Sequence, residues 1–289
     1  MDVTEADRFL NCVMRRSESD SLFRIGVILS VTLLCPILVA LIYYDLFDDI
    51  PDNAEVAIGL SGWTILFYTI YLEVKGMNLH RIRDMGWISA LASYARSRGC
   101  GSEEMDRFLE SRGMANTGRA MKASKATFLL MFAFNSSLIL LMRLSGLNVD
   151  QGDLIVNVIS VAMVVELAAT AAYIIKTLAS HDSIQNEFTA LFAEAMGDVL
   201  DVHEPMRTSL TGSRVRLWPH AILLVVTMGL YATVFNLLAV RKMNIHVTTQ
   251  WSYENRLVVA IAKAEGASRV EKDEAGSPKG VEAFLDLIQ

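Results

Sequence analysis

Cysteine is scarce in this chain. Its 3 copies among 289 residues, Cys12, Cys35 and Cys100, share no CxxC spacing. That excludes a disulfide framework. Positive charge is missing from two long stretches, 42–74 and 144–175, which hold no Lys or Arg. The net charge of −6 is mild and argues against a nucleic-acid partner. No Walker loop, HExxH, GxSxG or Cys/His nucleophile pair occurs, which weakens the case for an enzyme. A cleaved leader is not expected either. The first apolar run begins near residue 25 and ends in Tyr43-Tyr44-Asp45, not in a small-x-small exit.

What is present is apolar. Hydrophobic residues make up 53% of the chain and the mean hydropathy is +0.36. Five stretches stand out: 25–44, 56–72, 126–142, 154–175 and 217–240. Each has about the length that crosses a hydrocarbon core of roughly 30 Å as a helix. They predict an all-α integral membrane protein of five transmembrane helices, placed in the cell membrane with the lipid bilayer as its partner. Arg8, Arg15, Arg16 and Arg24 put the N-terminus on the cytoplasmic side. The acidic link 47–53 then faces out, the basic stretch 75–125 faces in, and the C-terminus faces out. Arg241 and Lys242 leave an alternative open, with the C-terminus inside and a sixth or re-entrant segment within 182–213.

The chain also echoes itself. Asp7-Arg8-Phe9-Leu10 recurs as Asp106-Arg107-Phe108-Leu109. Tyr71 leads to His80 and Tyr173 to His181, and seven residues past each histidine stands an aromatic, Trp87 or Phe188. Met77-Asn78-Leu79-His80 is echoed by Met243-Asn244-Ile245-His246, a partial third copy. The expected organisation is therefore duplicated helical hairpins with cytoplasmic helical extensions. Its parts are an N-terminal segment (1–24), a first hairpin with an amphipathic extension (25–98) and a second hairpin with a helical extension (99–213). A fifth span and its extension (214–264) and a flexible tail (265–289) complete it.

Glu166 is the one charged residue inside the five runs. At roughly mid-bilayer depth it needs a partner or a proton. Asn135, Ser136 and Ser137 are the matching polar triplet on the neighbouring run. Together they read as an ion- or proton-handling site or as hydrogen-bonded glue between helices. Arg81, Arg83, Arg96 and Arg98 frame an amphipathic stretch at 79–96 that either lies on the membrane surface or extends the second span. Trp87, His80, His181 and His246 are expected at the interface, where helices leave the bilayer. No metal ligand set and no cofactor is expected: the histidine spacing matches no metal-binding pattern, and no histidine pair lies inside a span as haem would need.

The stretch 216–246 resembles prokaryotic multi-pass membrane proteins in which Val-Thr-x-Gly opens a span and Asn-x-His ends it. Here those are Val226-Thr227-Met228-Gly229 and Asn244-Ile245-His246. The likeness implies the membrane class and no activity. The expected function is a non-catalytic structural or accessory subunit of a membrane assembly, as a homo-oligomer or with other membrane proteins. The alternative is a small ion or proton transporter built on Glu166.

Overall fold

The computed structural model describes residues 4–20, 22, 26–31, 52–111, 149–207, 216–227 and 229–272. Helices are the regular structure found there. Helix α1 (Glu5–Met14) opens with a capping box: the Thr4 hydroxyl accepts from Asp7 N at 3.2 Å, and the Asp7 carboxylate accepts from Thr4 N at 3.0 Å. The short α2 (Arg16–Ser19) follows and presents Asp20. Helix α3 (Asp52–Ser97) has 46 residues. It ends where Gly99 turns left-handed at φ +74° and Cys100 N donates back to Ala95 O at 2.9 Å. Ser102 caps α4 (Glu103–Ser111) by accepting from Met105 N at 3.1 Å.

Helix α5 (Val149–Leu200) has 52 residues. Helix α6 (Trp218–Val226) carries a proline in its first turn, where the missing N–H costs nothing. Helix α7 (Tyr231–Lys272) follows after a break at Gly229. Gly229 has φ +91°, and a Cβ there would lie 2.7 Å from Val164 of α5, so both backbone shape and space demand glycine.

The three long helices α3, α5 and α7 rise in the same direction and share an axis. Asn78 meets Tyr173, His80 meets His246, and Trp87 meets both Phe188 and Tyr253. Counted from the histidine of each helix, the inward residues recur at steps of three and four. Met77, Leu178 and Met243 stand three residues before, and Asp84, Gln185 and Gln250 four residues after. Trp87, Phe188 and Tyr253 lie seven after, and Leu91, Phe192 and Leu257 eleven after. All are buried. This is the spacing of a coiled-coil seam, in which a repeat near 3.5 keeps one stripe facing the partners. The short helices cover one end: Phe9 of α1 and Phe108 of α4 join Trp87, Phe188 and Tyr253 in one apolar cluster. The two copies of the Asp-Arg-Phe-Leu sequence thus reach the same core.

The five-span membrane architecture is corrected. No helix, over the described residues, is long and apolar enough to cross a membrane. Hydropathy averaged along a run hides what the helices bury. The runs at 56–72 and 154–175 occupy only part of α3 and α5, whose buried positions include Glu73, Asn78, His80, Arg83 and Asp84, and Glu166, His181, Asp182 and Gln185. The run at 217–240 breaks at Gly229, leaving α6 only 9 residues long. At 1.5 Å per residue such a helix reaches about 14 Å, half a hydrocarbon core. The run at 126–142, and that at 25–44 apart from 26–31, lie outside the described residues. The findings therefore give no support to a multi-pass chain in the cell membrane or to the membrane-sided orientation of its N-terminus.

The aromatic layer sets a stability expectation. Phe188 is wholly buried, with ring centroids 6.2 Å from Trp87 and 5.8 Å from Phe108. Phe188→Ala should lower the unfolding free energy by about 3–5 kcal/mol in urea titration. Val199→Ala, on the exposed side of the same helix, should stay within about 0.5 kcal/mol. Equal effects would contradict the shared aromatic layer.

Candidate metal centre

Because α3, α5 and α7 are in register, each brings one histidine to the same height. His80, His181 and His246 are 0%, 5% and 3% exposed. Their ring centroids lie 5.2, 5.0 and 5.2 Å apart, and one nitrogen of each falls within 4.8 Å of the others. For His80 and His246 the nitrogens opposite the facing pair lie against carboxylates, and His181 has a carboxylate at its Nε2. His80 Nδ1 donates to Asp20 Oδ1 at 2.9 Å, His246 Nδ1 contacts Asp182 Oδ1, and His181 Nε2 contacts Asp84 Oδ2. Asp84 Oδ2 is also 4.0 Å from His80 Nε2.

The carboxylates decide the tautomers. An ionised carboxylate can only accept, so the nitrogen facing it must carry the hydrogen. In a neutral ring the other nitrogen is then a bare lone pair. His80 Nε2 and His246 Nε2 therefore point lone pairs at each other across 2.9 Å. Two such lone pairs repel unless a cation stands between or beside them, either a proton or a metal ion. A carboxylate behind the ring, as Asp20 stands behind His80 and Asp182 behind His246, is also the usual outer shell of a histidine metal ligand: it orients the ring and raises its basicity.

Charge points the same way. Asp20, Asp84, Asp182 and Glu254 are all buried within this network, against one buried guanidinium, Arg83. Arg83 pairs with Asp20 Oδ2 at 2.9 Å, with Asp84 Oδ1 at 3.4 Å and with Glu254 Oε1 at 2.6 Å. Trp251 Nε1 donates to Asp20 Oδ2 at 2.7 Å, and the Gln185 and Gln250 amides donate to Asp84. Burial alone would raise the Asp84 pKa, but the His181 and His80 rings and Arg83 outweigh it and hold the group far below the usual carboxylate range. Asp20 is likewise lowered, because His80, Arg83 and Trp251 together exceed the burial penalty. Burial pushes Glu254 up to about 7 against the pull of Arg83. With Glu254 protonated and the three imidazoles neutral, the network holds three buried carboxylates for one guanidinium. Unpaired charge in an interior is costly, so such a cluster calls for positive charge, as protons on the imidazoles or as a bound metal ion.

The other residues singled out from sequence fall elsewhere. Glu166 is buried on α5 and stands just over four turns before His181, while Asn135, Ser136 and Ser137 lie outside the described residues. Trp87 lies in the interior, edge-on to Phe188 and Tyr253. The three histidines expected at an interface converge instead on the bundle axis. Asp20, Asp84, Arg83, Glu254 and the two glutamines carry no sequence motif. Their signal is register: Asp84, Gln185 and Gln250 each stand four residues past a histidine. Compared with known proteins, the chain matches no family model, no curated protein and no solved structure.

Like Glu166, Glu73 is a buried acid off the centre, and it lies two turns before His80. Glu73 is wholly buried, accepts from Asn236 Nδ2 at 3.1 Å, and is pushed up to about 8 by burial, against the smaller lowering effect of Asn236. The folded state therefore holds this proton more tightly than the unfolded chain, where the ordinary value is 4.5. Its contribution to stability is complete below that value and is lost as pH rises through about 8. Glu73→Gln keeps the shape without the titration. Relative to wild type it should gain stability steadily across that window, by a few kcal/mol on the order set by the shift. Parallel pH profiles for the two proteins would contradict this.

Proposed function

We propose that this chain is a metal-binding helical protein that holds a first-row transition cation between His80, His181 and His246. The observation that carries the reading is the pair of Nε2 lone pairs facing each other at 2.9 Å, each fixed by a carboxylate behind its ring. Neutral imidazole is a ligand suited to Zn, Cu, Fe and Ni ions, and the buried negative excess favours binding a cation. Asp84 closes the ligand set: its Oδ2 contacts His181 and lies 4.0 Å from His80 Nε2.

A binding role is favoured over a catalytic one by burial. Catalytic metal sites keep a position open to water and substrate. Here all three rings are nearly inaccessible, and the aromatic layer of Trp87, Phe188 and Tyr253 covers one side of them. A cation bound on three separate helices ties them together, so binding free energy adds to folding free energy. The function that follows is metal holding coupled to the integrity of the bundle.

The test is metal-dependent stability. At a free metal concentration about 100 times Kd, the full chain should gain about 2.7 kcal/mol, reversed by a chelator. His181→Asn should remove the gain. If Zn(II), Co(II) and Cu(II) all leave the melting curve unmoved and none is retained after dialysis, the facing nitrogens share a proton and the metal reading fails.

A further inference from the structure

Directly adjoining the histidine layer is a layer that contains two sulfur atoms. Met77 and Met243 stand three residues before His80 and His246, which puts each on the same helix face as its histidine and one turn away. Both are fully buried, and both belong to one apolar cluster with Leu178, the residue three before His181. The third member of the layer is therefore an isosteric hydrocarbon. The layer beyond contains Glu73, a carboxyl that burial holds neutral at ordinary pH.

We infer that the metal held by the histidines is copper, and that Met77 and Met243 supply thioether ligands to it in the Cu(I) state. This rests on the metal-centre reading above. Imidazole alone does not choose among zinc, nickel and copper, because all accept it. Thioether sulfur does choose. It is soft and polarisable, and it suits Cu(I), whereas zinc and nickel gain little from it. It is also uncharged, so it adds no further negative charge to a cluster that already holds an excess of carboxylates. Cu(II) sits on the imidazoles, and Cu(I) draws on the sulfurs one turn away. The Met-Asn-x-His sequence, present at 77–80 and 243–246, is then a ligand pair at helical spacing: a soft sulfur and an imidazole on one face. The ordinary role of a buried methionine is to fill space, and that role makes a different prediction.

The experiment uses the full chain, titrated anaerobically with Cu(I) against a chromophoric chelator and, separately, with Zn(II). Met77→Leu/Met243→Leu conserves volume, so the bundle is retained. The double variant should bind Cu(I) at least about tenfold more weakly, the scale on which loss of supporting ligands is felt, with Zn(II) affinity unchanged. X-ray absorption should show sulfur beside copper in the wild type and none in the double variant. Leu178→Met, which adds a third thioether to the layer, should strengthen Cu(I) binding. If the wild type shows nitrogen and oxygen alone around copper, and Cu(I) affinity is equal in all three proteins, the methionines are filler and the inference is overturned while the metal centre stands. If the wild type binds neither ion, the metal centre itself falls and this inference with it.

Discussion

Three parallel helices can share an axis only if each keeps one stripe of side chains pointed inward along its whole length. In α3, α5 and α7 that stripe repeats at steps of three and four, and the three stripes are in register at the histidines. Every other feature of the centre follows from this register. It sets Asp84, Gln185 and Gln250 at one height, four residues past the imidazoles, where both amides reach the same carboxylate. It sets Trp87, Phe188 and Tyr253 at the next height, where their rings close the axis. A slip of one helix by one residue would move a histidine off the axis and a polar group into the apolar cluster.

Polar layers inside such a seam weaken it and at the same time specify it. Apolar layers pack in several registers with similar energy. A layer of imidazoles set against carboxylates keeps those contacts in one. The cost is electrostatic, since Asp20, Asp84, Asp182 and Glu254 are buried against a single guanidinium. Arg83 offsets part of that cost through contacts to three of the four. The cation we propose would offset the rest, and in doing so would join helices that lie far apart in sequence. Asp20 adds the N-terminal segment to the same network, because its two oxygens reach His80, Arg83 and Trp251.

Parts of this were legible in the sequence, and the reasons for the rest are physical. The all-helical character followed from apolar runs and helical periodicity. The repeat was readable at Phe9 and Phe108, at His80 with Trp87 and at His181 with Phe188, and the structure brings these pairs into common layers. Tyr253, seven residues past His246, completes the set, although the sequence echo of the third copy stops at the Met-Asn-x-His stretch. The histidine centre was not legible, because metal motifs are read from ligands close in sequence and these three sit on different helices. The membrane reading failed for a related reason. A sliding hydropathy average records how apolar a run is, and it does not record that residues such as Glu73, Asp84, Asp182 and Gln185 recur on the face that becomes buried. Asp20 lies in a short segment with no pattern of its own, and only tertiary packing places it beside His80.

The most direct measurement is anomalous X-ray diffraction from crystals of the full chain grown with copper, with data collected on both sides of the copper edge. A single strong peak is expected on the bundle axis, at about 2.0–2.1 Å from one nitrogen each of His80, His181 and His246. The Nε2 atoms of His80 and His246 would then move apart from their present 2.9 Å to make room for it. A map with no peak among the three rings, and with those nitrogens still at hydrogen-bond distance, would contradict it.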